Sequence, residues 1–212
     1  MAKATTDRFE QRKATRAKLI DAALGMFSTS GYEHATVDDI SQAAGYSKGA
    51  YYFHFSTKDD ILLELLRQWT ETRSAALAEE LGDEDASVGN LRSALERFFS
   101  YDAEPRWPGV LLEFWAQAVR SPEVSKRLTQ AYAAWRKQLG VAFEQAAGRG
   151  ELSLVSGEDA ASVALAAHDG HAVQVAIGSP GGRSMSAANL VEALVGPLEA
   201  REAPAERRTA AL

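Results

Sequence analysis

Apolar residues recur at helical spacing along nearly the whole chain, and the period-two alternation of half-buried strands is almost absent. A chain patterned this way satisfies its backbone within helices and must bury their apolar stripes against one another. Glycine or polar breaks divide it at Gly31, Gly45, GDEDASVGN (82–90), Gly148-Arg149-Gly150 and Gly178-Ser179-Pro180-Gly181-Gly182. The expectation is an all-α protein of about nine helices without a sheet. The helices are placed at about Arg12–Thr29, Thr36–Gly45, Ser47 onward, Ser56 or Thr57 to Leu81, Val88–Asp102, Pro108–Arg120, Pro122–Ala147, Gly157–Ile177 and Ser186–Ala200. The stretch 202–212 lacks periodicity and is expected to be a disordered tail.

Start and stop signals support these divisions. Thr36 with Asp39 three residues on reads as a capping box, and Ser121-Pro122-Glu123 combines a capping Ser, a Pro at the first helical position and an acid suited to the dipole. Gly31 and Gly45 accept the positive φ that a sharp helix stop requires.

Composition closes several routes to function. With no cysteine, disulfides, thiolate metal sites and Cys nucleophiles are excluded. No apolar run approaches the roughly 20 residues needed to span a bilayer, so no membrane role is expected and the cytoplasm is the expected location. No Gly-rich phosphate loop, serine elbow or paired carboxylates appear, so neither catalytic residues nor a cofactor are expected. Net charge is −6, yet residues 1–18 hold six basic groups against two acidic ones, and residues 1–58 hold eight against six. A basic footprint needs only to be local, so an acidic body leaves nucleic-acid binding open.

One segment is badly composed for burial. TVDDISQAAGYSKGAYYFHFSTKDDI (36–61) joins two short helical patterns by a glycine turn, and the second carries Lys48, Tyr51, Tyr52, Phe53 and His54. Side chains of that bulk and polarity cover every face of a helix, so some must point away from the core. A small-residue turn feeding such a helix suits a helix-turn-helix that enters a DNA major groove.

The pattern Phe27-x-x-x-Gly31-Tyr32, then Ala35-Thr36-Val37-x-x-Ile40-x-x-x-Ala44-Gly45-x-Ser47-Lys48-Gly49-x-x-Tyr52-x-His54-Phe55-x-x-Lys58-x-x-Ile61-Leu62, resembles the N-terminal domain of the TetR family of bacterial transcriptional regulators. It covers about the first 65 residues, and Phe114-Trp115, Pro122-Glu123 and Trp135-Arg136 look like the BetI-type C-terminal branch. The resemblance implies a helix-turn-helix domain over 1–58 and a helical ligand-binding and dimerisation domain over 59–201. It implies DNA contacts from Thr36, Ser47, Lys48, Gly49, Ala50, Tyr52, His54 and Lys58, with Lys58 on a phosphate. Tyr51 and Phe55 are expected in the core. Phe53 departs from the family's usual polar residue and has no evident part in binding DNA. Arg8, Arg12, Lys13 and Arg16 are candidates for backbone or minor-groove contacts.

The implied partners are a palindromic double-stranded operator, a second copy of the chain and a small-molecule effector that is apolar, aromatic or cationic. Trp69, Phe98, Phe114, Trp115, Trp135, His168 and His171 are the pocket candidates. Ala164, Ala167, Val173, Leu190 and Leu194, on the Ala-rich and Leu-bearing last helices, are the dimer-interface candidates. The resulting expectation is a repressor released from DNA by its ligand. Two alternatives stay open: a helical enzyme using His168, Asp169 and His171, and a non-specific DNA-compacting protein. His168 and His171 are three apart, but Asp169 falls nearly opposite on the wheel and no carboxylate completes a site, so no metal is expected.

Overall fold

The computed structural model describes residues 2–82 and 86–199. The expected tail 202–212 lies outside them. Ten α-helices and a terminal 3₁₀ turn follow in order: α1 Ala2–Ser30, α2 Val37–Ala43, α3 Lys48–His54, α4 Lys58–Leu81, α5 Val88–Phe99, α6 Trp107–Ala118, α7 Pro122–Gly148, α8 Gly157–Ala176, α9 Pro180–Ser184 and α10 Ala187–Val195, then Gly196–Leu198. The described residues contain no strand, only an isolated bridge between Leu152 and Glu199. The all-α expectation holds.

Local chemistry sets most boundaries. The Thr36 hydroxyl accepts from Asp39 N–H while Asp39 Oδ2 accepts from Thr36 N–H, and Thr57 and Asp60 repeat the arrangement at the start of α4. Ser47 accepts from Ala50 N–H at 3.3 Å to cap α3. Gly31 and Gly45 have φ of 80° and 78°.

The first helix begins at Ala2, ten residues before the expected Arg12, and two further expectations need correction. The glycine-rich stretch read as a loop contains α9, started by Pro180 and held where Gly182 packs against Gln174; a Cβ there would lie 2.5 Å from the Gln174 carbonyl carbon. The last helix ends at Val195 rather than Ala200, where Gly196-Pro197 tightens the chain into a 3₁₀ turn and Ser153 N–H donates to Leu198 O at 2.7 Å.

Helices α1 to α3 form a small core from Leu19, Ala23, Phe27, Ile40, Tyr51 and Phe55. Helix α4, 24 residues and therefore about 36 Å long, continues from it into the body. It packs first on α1 and then on α5 and α7. Helix α6 makes a second bridge, with Gly109 so close to α1 that a Cβ would meet Ser28 O at 2.9 Å. Arg106 pairs with Asp21 at 2.6 Å and Gln117 donates to Glu33 at 3.1 Å across the same junction. The N-terminal helices are therefore gripped by two elements of the body.

Candidate nucleic-acid interface and buried aromatic core

Helix α3 separates its crowded side chains by face. Tyr51 is fully buried and its hydroxyl donates to Thr57 O at 3.0 Å. Phe55 is buried beside it, ring centroids 5.7 Å apart. The opposite face presents Lys48, Gly49, Tyr52 and Phe53 to solvent, with Tyr52 53% and Phe53 62% exposed. Thr36 and Ser47 are exposed caps, and Ala50 and His54 are half-buried. Lys48 Nζ pairs with Asp38 at 2.8 Å, an exposed contact that a phosphate can displace at little cost.

Phe53 acquires a partner that spacing does not show. The Arg12 guanidinium lies over its ring, 4.7 Å from the centroid, and His54 meets its face edge-on at 5.1 Å. Arg8, Arg12, Tyr46, Ala50, Phe53 and His54 line a groove of about 380 Å³ between α1 and α3. Burial, with Arg12 and Arg16 nearby, holds His54 below the ordinary histidine pKa.

Two basic residues turn inward. Lys58, expected on a phosphate, donates instead to Tyr32 O at 2.6 Å, Ala35 O at 3.0 Å and Glu33 O at 3.3 Å, with the Tyr32 ring centroid 4.2 Å away. It closes the α1–α2 connection, because three carbonyls converge within reach of its stem. Arg16 pairs with Glu64 at 2.9 Å and lies over Phe55. Arg8, Arg12 and Lys13 remain exposed on the outer face of α1.

The pocket candidates divide in the same way. Trp69, Phe98, Phe114 and Trp135 are essentially fully buried against one another: Trp69–Trp135 and Phe98–Trp135 centroids are 5.1 Å apart, Trp69–Phe114 6.2 Å. Phe98, Phe114 and Trp135 thus fill the core, because tilted and edge-on rings leave no room between them. Trp69 also lines a cavity of about 550 Å³ with Arg73, Tyr101 and Trp107, and His171 lines another of about 380 Å³ with Tyr101 and Met185. Arg73 and Tyr101 were missed by sequence reasoning. The available signal was a charge on the apolar stripe Leu62, Leu66, Trp69, Arg73 and Leu77.

His168 belongs to a buried polar chain. Tyr101 Oη lies 2.7 Å from His168 Nε2, His168 Nδ1 3.1 Å from Asp169 Oδ1, and Tyr132 donates to that same oxygen at 2.7 Å. Half-buried Trp115 donates to Tyr132 Oη at 3.2 Å. Asp169 is thus beside His168 rather than opposite it. The carboxylate as acceptor assigns the His168 proton to Nδ1 and leaves Nε2 to accept from Tyr101. Burial keeps His168 neutral by lowering its pKa, against the opposing pull of Asp169. Both ring nitrogens are engaged, and the described residues contain no group of three or more His, Asp or Glu able to hold a metal.

On α8, Ala164 and Leu165 are buried within the single chain, and Leu190 of α10 is buried as well. Ala164 and Leu190 are therefore intrachain core, a correction imposed by α6, α7 and α5 packing over them. Ala167 and Leu194 are half-buried. Val163, Ala166, Gly170, Val173 and Ile177 form an outward stripe, Val163 59% and Ile177 68% exposed.

The described helices include none long and apolar enough to cross a membrane. Residues 19–65 match the family model of tetR-family bacterial regulatory proteins, and residues 88–198 match that of the BetI-type transcriptional repressor C-terminal domain. The chain is 30% identical to the HTH-type transcriptional regulator TtgR of Pseudomonas putida over 75% of its own length and 78% of the relative's. It is 50% identical to the uncharacterized HTH-type regulator YwcC of Bacillus subtilis over 104 residues, spanning about half of each chain, 46% and 47%. A transcriptional regulator from Rhodococcus sp. Rha1 superposes with TM-score 0.71 at 26% identity, covering 89% of this chain and 99% of that one. A regulator from Saccharomonospora viridis, solved in complex with choline, shares the fold at TM-score 0.73 and 22% identity over 84% of this chain and 92% of its own. These relatives are regulators rather than enzymes, which removes the catalytic alternative for His168, Asp169 and His171. An exposed, aromatic and basic α3 carried on two bridges to a BetI-type helical body places the chain in the TetR family of bacterial transcriptional regulators.

Proposed function

We propose that the chain acts in the cytoplasm as a homodimeric repressor, binding a two-fold symmetric operator and leaving it when a small molecule enters the body. The observation that carries this reading is the continuity of α4, which begins at the α3 junction and carries Trp69 and Arg73 into a cavity of the body. Residues 1–58 form the DNA-binding unit and 59–201 the effector and dimer unit. Thr36, Ser47, Lys48, Gly49, Ala50, Tyr52 and His54 meet DNA, with Arg12 alongside; Lys58 holds the turn that positions them.

A single reading head contacts few base pairs, so specificity calls for two, about 34–36 Å apart on successive turns of the duplex. The outward α8 stripe Val163, Ala166, Gly170, Val173 and Ile177 supplies the self-complementary seam: its small central residues allow close helix approach. An effector that favours a different tilt of α4 shifts the spacing of the heads, and about 1–3 kcal/mol of coupling is sufficient for control.

Selection from a random duplex pool tests the proposal. A two-fold symmetric consensus bound by a dimer is the expected product. Recovery of no consensus, with all duplexes bound alike, would favour the DNA-compacting alternative.

A further inference from the structure

Arg73 is 7% exposed on the buried face of α4. Its Nη1 donates to Phe98 O at 2.6 Å, Ser100 O at 2.9 Å and Arg97 O at 3.1 Å, at the negative end of the α5 dipole. The guanidinium also lies 5.1 Å from the Tyr101 ring centroid. These contacts orient the cation without neutralising it. Among the described residues no carboxylate lies within ion-pair distance of Arg73, and its Nε and Nη2 have no acceptor. Burial disfavours its charge, and a buried cation ordinarily has an anionic partner.

The cavity that Arg73 lines offers no such partner from the protein. Its two carboxylates are engaged elsewhere, Glu79 with Arg97 at 2.8 Å and Glu104 with Arg106 at 2.5 Å. Trp69 gives the same wall part of its ring, its indole N–H being enclosed in the core. Ala75, Ala76 and Trp107 make much of the remaining lining apolar. About 550 Å³ accommodates a small organic molecule.

We propose that this cavity takes a monocarboxylate with an apolar body, the carboxylate held by the open Nε and Nη2 of Arg73. The guanidinium fork matches two carboxylate oxygens, whereas a quaternary ammonium would meet an unmatched positive charge. The expected effector class, apolar, aromatic or cationic, is thereby narrowed to exclude the cation. The inference rests on the reading that the effector enters the body, and it identifies the residue on α4 through which the ligand acts.

Calorimetric titration of the full chain with octanoate, 1-octanol and octyltrimethylammonium compares three head groups on one alkyl body. Octanoate should bind saturably, about tenfold or more tighter than octanol, and the ammonium weakest. Arg73→Gln should bring octanoate down to the affinity of octanol, and Arg73→Lys, which keeps the charge but loses the fork, should retain part of the preference. Arg73→Lys and the wild-type comparison carry the test if Arg73→Gln fails to fold. Absent octanoate binding, ammonium binding as tight as octanoate, or octanoate affinity unmoved by Arg73→Gln would each overturn the proposal. DNA release is read separately by gel shift: octanoate that binds without releasing DNA leaves the cavity assignment standing and removes ligand release. An ammonium that releases DNA while octanoate does not bind would remove the carboxylate assignment alone.

Discussion

Arg12 lies over Phe53 with its guanidinium carbon 4.7 Å from the ring centroid, joining the basic face of α1 to the exposed face of α3. An exposed aromatic that donates nothing to a phosphate still holds an arginine where a phosphate is expected. Phe53→Ala should weaken binding to specific and random duplexes alike by a few fold, in line with a cation–π contact of about 0.5–1 kcal/mol. Arg12→Ala should also reduce the slope of log affinity against log salt by about one. Gel shifts across a salt series check both; unchanged slopes would detach Arg12 from the interface.

Lys58 behaves as a structural cation. Its three carbonyl acceptors predict that Lys58→Met costs about 1–3 kcal/mol of stability, read as a lower urea midpoint. The salt slope of DNA binding should barely change. A fall of about one in the slope with stability intact would restore a direct phosphate contact.

The two sides of α8 should respond oppositely. Ile177→Glu and Val163→Glu alter exposed positions and should leave the monomer folded while converting the proposed dimer to a monomer in gel filtration, with operator binding lost. Ala164→Leu, at a position only 1% exposed, should instead destabilise the chain by about 1–3 kcal/mol through overpacking. Dimers that survive both glutamates would place the interface elsewhere.

Acid should destabilise the fold through its buried histidines. Burial lowers the pKa of His168 and His171 in the native state, so the unfolded chain binds protons that the native chain refuses. Their stabilising contribution is complete above the unfolded value of about 6.5 and is lost as pH falls below it. Urea midpoints between about pH 7.5 and 5.5 should drop, and His168→Gln should lower stability at neutral pH yet flatten that dependence. An equally steep profile in the variant would place the proton uptake on other groups.

Much of the N-terminal helix arrangement was legible because its determinants are local. Ser47, Gly45 and the Thr36–Asp39 pair fix where α2 and α3 begin and end, and the excess of bulky groups on α3 requires an exposed set. Helix α9 escaped notice because Pro180-Gly181-Gly182 has turn composition; its single turn persists where Gly182 fits against Gln174. The body was less legible, since Trp69, Phe98 and Trp135 are equally consistent with a pocket and with a filled core until their mutual distances are known.

The sequence by itself determined the helical class, most helix boundaries, the helix-turn-helix and the family, because caps, glycine stops and apolar periodicity act over a few residues. Tertiary structure alone decided which groups remain available. Helix α7 closes over one side of α8 and leaves Val163 and Ile177 outside, the α1–α2 carbonyls capture Lys58, and α5 brings its last carbonyls to Arg73 without a carboxylate. Availability depends on what neighbouring helices supply across space, and spacing along the chain does not encode it.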